Sequence, residues 1–181
     1  MIKRALALIL CLMAAATFAL AQEAAPYAAP EAGSPLTLEG DMGLLVEDIW
    51  YPILNDFAPL KAALGEPDEE FDAPSCVFQG EDKEFIYGGS SIFTNPLGDL
   101  DVWYEVYILD EGFETVRGIA IGSSREDVIA AYGEGYYMED EFTMTYSVSG
   151  IEGDFESPCI MFGLTDGVVS LIDIYYPTNT F

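Results

Sequence analysis

The chain has 181 residues, 51% of them hydrophobic, with no histidine and 32 acidic against six basic side chains, a formal net charge of −26. Nucleic acid and anionic membrane surfaces are excluded as partners, because binding either needs a basic footprint that so few scattered cations cannot build. Without histidine, Ser-His and Cys-His nucleophilic pairs, His-ligated zinc and imidazole acid–base catalysis are also excluded. Carboxylate-pair chemistry survives, but with so many acids a suitable pair arises from composition alone.

In chain order, the first segment is a targeting signal. Met1–Ala21 has a short basic start (Lys3, Arg4), an apolar run from Ala5 to Leu20, and Ala19-Leu20-Ala21 before Gln22. That is a secretory signal peptide with cleavage expected after Ala21, and the protein is expected to be extracellular. Leu10 precedes Cys11 where a lipid-attachment box needs a small residue, so lipidation is not expected. After processing, Lys61, Lys83, Arg117 and Arg125 face 32 acids, for a net charge near −28. Residues 22–35 are Ala/Pro-rich without an apolar period and are expected to be a disordered linker.

The remainder carries an internal echo. Leu60-Lys61-Ala62-Ala63-Leu64-Gly65-Glu66 aligns with Val128-Ile129-Ala130-Ala131-Tyr132-Gly133-Glu134, 68 residues later, and the offset runs ungapped to the C-terminus. This predicts two units, residues 36–117 and 118–181. In the second, Ser124-Arg125-Glu126-Asp127 has the form of a capping box, Val128, Ile129 and Tyr132 supply an apolar side, and Gly133 stands where a left-handed C-cap belongs. In the first, Asp56 takes the cap, Pro59 the first turn, Leu60 and Leu64 the apolar side and Gly65 the end.

Strands are predicted after each helix: 76–79, 84–87, 91–94 and 102–109 in the first unit, 142–148, 158–163 and 168–176 in the second. Gly88-Gly89, Ser149-Gly150 and Asp166-Gly167 mark turns. The acidic clusters 66–70 and 139–141 lack the ligand alternation of a calcium loop and read as solvated loops, so neither metal nor cofactor is expected. The predicted fold is α+β: two tandem repeats of a short helix followed by three or four antiparallel strands, helices on one face of the sheet.

Two-residue periodicity sorts the last strand of each unit into faces. Val102, Tyr104, Val106 and Ile108 share one side with Ser170, Ile172, Ile174 and Tyr176; Trp103, Glu105 and Tyr107 share the other with Leu171, Asp173 and Tyr175. The acids mark the second side as solvent-facing. Trp103, Glu105, Tyr107, Leu171, Asp173 and Tyr175 are therefore the candidate binding surface, aromatics with a polar rim on an open sheet. The competing reading is that loops or the other unit cover these rings. Cys76 and Cys159 are a possible disulfide in an exported chain, although the parity count aims the thiols at opposite sides.

The layout of helix, glycine and strands resembles the β-lactamase-inhibitor-protein-like architecture of tandem helix-plus-sheet units. Residues 71–83 (Phe71-Asp72-Ala73-Pro74-Ser75-Cys76-Val77-Phe78-Gln79-Gly80-Glu81-Asp82-Lys83) and Gly118–Ser124 with the helix to Gly133 also resemble uncharacterised secreted or lipid-anchored proteins of clostridial-type bacteria. The helix-then-strands order is similar, too, to the SmpA/OmlA-type domain of outer-membrane assembly lipoproteins. The first resemblance implies a sheet face that grips a partner. The expected function is a monomeric, secreted, non-catalytic binding module for a protein or cell-wall ligand, with a secreted carboxylate-based hydrolase and a structural envelope or spacer protein as alternatives.

Overall fold

Thr37 accepts a bond from the Gly40 amide and opens a single turn, α1 (Leu38–Asp41), in the computed structural model, which describes residues 27–178. The signal segment 1–21, its cleavage site and residues 22–26 lie outside the described residues. Asp41 is wholly buried, and its carboxylate takes bonds from Arg117 Nε at 2.7 Å and Nη2 at 3.0 Å. The same guanidinium donates to the carbonyls of Ser34 and Ala131, and lies 4.7 Å from the Tyr132 ring centre.

The described part of the expected disordered linker is thus fastened down. Gly33 donates to the Ala131 carbonyl, and the Tyr27 ring stacks on Trp50 at 4.6 Å. The reason is that this stretch is held through backbone carbonyls, which any composition can offer.

A separate two-stranded ribbon follows, β1 (Gly43–Val46) against β2 (Ile49–Pro52). Glu47 and Asp48 between them both have positive φ, +51° and +65°, the backbone of a two-residue hairpin turn whose twist matches its strands.

Helix α2 (Ala58–Leu64) and helix α3 (Arg125–Tyr132) are the two longer helices. The capping box of α3 is complete: the Asp127 amide donates to Ser124 Oγ and the Ser124 amide to Asp127 Oδ2. In α2 the cap position falls on Phe57, not Asp56, although Asp56 Oδ1 still accepts from the Ala58 amide at 3.2 Å. Gly65 and Gly133 end the helices at φ +87°, ψ −164° and φ +82°, ψ −170°. This is not the expected left-handed helical cap but an extended region open to glycine alone, which turns each chain away sharply.

Eight antiparallel strands form one sheet: β3 (Glu69–Pro74), β4 (Glu81–Tyr87), β5 (Ser90–Leu97), β6 (Leu100–Ile108), β7 (Tyr137–Met138), β8 (Thr143–Ser147), β9 (Cys159–Thr165) and β10 (Val168–Tyr175). Their order is β3-β4-β5-β6-β10-β9-β8-β7, so the two longest-range neighbours, β6 and β10, meet in the middle. The protein is α+β.

Three expectations for the strands need correction. Residues 76–79 are no strand; they are the turn joining β3 to β4, drawn back by Ser75 Oγ, which accepts from the Val77 and Phe78 amides. Glu69 and Glu70, expected in a solvated loop, open β3 instead, an exposed edge strand whose charges suit an edge that must not pair further. The ungapped 68-residue offset also fails between β4 and β8. Phe85 stands beside Ile92, whereas Ile160 stands beside Tyr146, because residues 148–158 replace the tight Gly88-Gly89 turn.

Alternate side chains on one sheet face form the core. Phe85, Ile92, Val106, Ile108, Met144, Ile160, Phe162, Ile172 and Ile174 are buried in one cluster with Leu60 of α2 and Val128 and Tyr132 of α3. The remaining alternate side chains of these strands line the opposite face.

Candidate functional site

Two bulges decide which residues reach the open face. On β6, Glu105 pairs with Phe93 and Trp103 with Thr94, so Tyr104 is an extra residue. A bulge resets the alternation of side chains. Trp103 therefore joins Ile92 and Val106 in the core, 1% exposed, and leaves the candidate surface where two-residue counting had placed it. Tyr104 takes its place, with its ring edge-on to Tyr175 at 6.5 Å. On β10, Val169 pairs with Leu164 and Leu171 with Gly163, making Ser170 the extra residue and moving it off the core side.

The other five candidates do come together. Across the central pair, Tyr107 stands opposite Asp173 and Glu105 opposite Tyr175, so acids and rings alternate in a checkerboard. Neighbouring strands extend it: Phe93 lies beside Glu105, Met161 beside Asp173 and Cys159 beside Tyr175. Glu84, next to Phe93, accepts a bond from Ser91 Oγ at 2.7 Å.

Burial, and after it the crowding of like charges, sets the electrostatics. Burial, then the nearby Glu84 charge, pushes Glu105 up to about 7. Burial, then Glu105 and Glu139, pushes Asp173 up to about 8. Burial beside these acids likewise raises the hydroxyls of Tyr104 and Tyr175 above the ordinary tyrosine value. Asp173 is 7% exposed, and its Oδ1 has no hydrogen-bond partner. Near neutrality both carboxyls hold protons for much of the time, because a second negative charge in so dry a place is costly.

Beside the checkerboard runs a groove of about 640 Å³. Asp173, Glu139 and Asp166 supply its acids, and Tyr107, Phe142, Met161 and Leu171 its apolar walls. Glu139 lies in an exposed loop, as expected; Asp140 beside it accepts from the amides of Phe142 and Thr143, and that tight turn leaves Glu139 at the groove. Tyr104, Glu139, Phe142 and Met161 are among the site residues that periodicity missed. Tyr104 had no signal, since a bulge is a tertiary event. The Asp140 turn could have been suspected from Asp140-Glu141-Phe142 preceding a strand.

The cysteines stay apart: Cys76 is exposed in the β3–β4 turn, and Cys159 is buried on β9 beside Tyr175, so no disulfide links them. Burial, with Asp173, Glu139 and Glu105 nearby, raises the Cys159 thiol to about 12, which keeps it protonated and inert. Among the described residues no group of three or more potential metal ligands converges, and no helix is long and apolar enough to cross a membrane.

The fold and site define an α+β protein whose antiparallel sheet is covered on one face and carries an acidic, aromatic groove on the other. No protein-family model, curated protein or solved structure matches this chain.

Proposed function

We propose that this protein is a secreted, non-catalytic binding module that holds a protein or cell-wall ligand on the open face of its sheet. One observation carries the reading: Glu105, Tyr107, Asp173 and Tyr175 interleave at the centre of the sheet, beside a groove walled by further apolar side chains. Half-buried rings with a polar rim can bury area at little entropic cost.

The finer architecture, two tandem helix-plus-sheet units as in β-lactamase-inhibitor-like proteins, belongs to the same proposal. The order α2-β3-β4-β5-β6 is followed by α3-β7-β8-β9-β10. A shift of 68 residues carries Glu105 to Asp173 and Tyr107 to Tyr175, so it exchanges the two central cross-strand pairs. The bulges at Tyr104 and Ser170 do not correspond under that shift, which fits two units that have since diverged.

A secreted hydrolase using two carboxylates is the second reading, favoured by the raised pKa values of Glu105 and Asp173. It ranks lower because Glu105 does not line the groove that Asp173 lines, and an acid–base pair must flank one substrate bond.

The test is capture. Immobilised protein is exposed to native secretions and to purified bacterial cell walls, and compared with Tyr107→Ala/Tyr175→Ala and with Ile49→Ala, an exposed residue on the separate β1–β2 ribbon. Loss of a bound species in the tyrosine variant alone, at unchanged melting temperature, is the expected result. Equal capture by all three, or none by any, refutes the proposal.

A further inference from the structure

The groove holds a buried acid that this chain does not neutralise. Asp173 is more than nine-tenths buried, lines the groove, and has an Oδ1 without a donor. Each cation among the described residues is engaged elsewhere: Lys61 with Glu70, Lys83 with Asp101, Arg117 with Asp41, and Arg125 with the Tyr136 hydroxyl. None lines the groove. A buried carboxyl without a partner is costly, and natural proteins keep such groups where something else completes them.

Resting on the binding-module reading, we propose that the ligand is a basic segment of a partner protein, which lays a lysine or arginine side chain along the groove and places its charged head on Asp173. The apolar stem of either side chain suits Met161, Leu171 and Phe142, with the Tyr107 ring alongside, while Glu139 supplies a second acceptor. A formal net charge of −26 would draw such a partner in over long range. A bound metal ion is the poorer fit, because no cluster of three ligands converges among the described residues.

The groups around Asp173 are Glu105, Tyr107 and Tyr104 from β6, Met161 and Cys159 from β9, Tyr175 on its own strand, and Glu139 from beyond β7, with Asp166 lining the same groove. Burial first, and then the charges of Glu105 and Glu139, oppose its ionisation, so the empty site holds a proton that an incoming cation displaces.

The probe is the acetylated, amidated pentapeptide Ala-Lys-Ala-Arg-Ala, titrated into isotope-labelled protein at physiological salt and followed by amide chemical shifts. Its counterpart carries norleucine and citrulline in place of lysine and arginine. Shifts centred on Met161, Gly163, Leu171 and Asp173 are expected, with affinity falling about tenfold in Asp173→Asn. Glu139→Gln, an exposed position that leaves the fold intact, should weaken binding about threefold, and Glu126→Gln on the exposed side of α3 should not. Shifts spread evenly over the acidic surface, or no binding by the basic peptide, overturn the proposal. Equal binding of the neutral peptide in the groove overturns the cationic assignment while leaving the sheet-face reading in place.

Discussion

Arg117 and Asp41, 76 residues apart, form an ion pair at 2.7 Å whose side chains are 2% and 0% exposed. The pair joins the N-terminal segment to the turn before α3, and Arg117 also satisfies the carbonyls of Ser34 and Ala131. Removing one partner leaves an uncompensated buried charge, which costs far more than the pair itself is worth. Arg117→Met and Asp41→Ala should each destabilise the protein by about 3–5 kcal/mol in urea unfolding. A loss below about 1 kcal/mol, the range of a surface pair, would refute the clamp.

Trp103 and Tyr175 should respond in opposite ways. Trp103→Ala empties a core site and should cost about 3–5 kcal/mol, while Tyr175→Ala trims a half-exposed ring and should shift the melting temperature by only a few degrees. Thermal unfolding of the two variants checks the bulge directly. If Trp103→Ala is the milder of the two, the β6 register is wrong.

Stability should fall as pH rises from about 4 to about 8. Glu105 and Asp173 have folded values of about 7 and about 8, above their unfolded ones, so over that window the native state binds more protons. Asp110, Asp127 and Asp140 act the other way. Hydrogen bonds from the Gly89 amide, from Ser124 and from the Phe142 amide, respectively, lower their values, so their stabilisation is lost as pH falls below about 4. Urea midpoints measured between pH 5 and 9 in wild type and Asp173→Asn test this. The variant should lose less stability with rising pH, and an identical slope would contradict the assignment.

Gly65→Ala and Gly133→Ala separate backbone strain from crowding. Both positions have a backbone reserved for glycine, costing about 1–3 kcal/mol for a side chain. At Gly65 an added Cβ meets nothing within 4 Å, but at Gly133 it meets the Gly33 carbonyl oxygen at 3.0 Å. Gly133→Ala should therefore be the more damaging, and should also speed amide exchange at Gly33, whose own N–H bonds to Ala131. Equal losses would remove the crowding contribution.

Thiol labelling should find one fast site. Cys76 is exposed, whereas Cys159 is buried with its thiol held near 12. Mass mapping after brief alkylation of native protein should place the label on Cys76, with Cys159 reacting only on unfolding. Early modification of Cys159 would mean that the sheet face opens.

Local chemistry was legible in the sequence where it is completed within a few residues. The Ser124–Asp127 capping box, Pro59 in its first turn, the Asp166-Gly167 turn and the buried parity of Val106, Ile108, Ile172 and Ile174 depend on near neighbours, and the structure has them. The Glu47-Asp48 turn was missed because it uses positive φ without a glycine or asparagine to announce it.

What only the tertiary structure decided depends on partners distant in the chain. Tyr104 reaches the open face and Trp103 the core because β5 pairs with β6 in a register that leaves one residue over, which no two-residue count contains. Asp173 is hard to ionise because the packed sheet buries it and then because Glu105 and Glu139 bring like charge from elsewhere, and residues 27–35 become ordered because Arg117 reaches back to them. Sequence periodicity reports which side of its own strand a residue prefers; register, bulges and buried charge are properties of pairs, and the fold alone brings the pairs together.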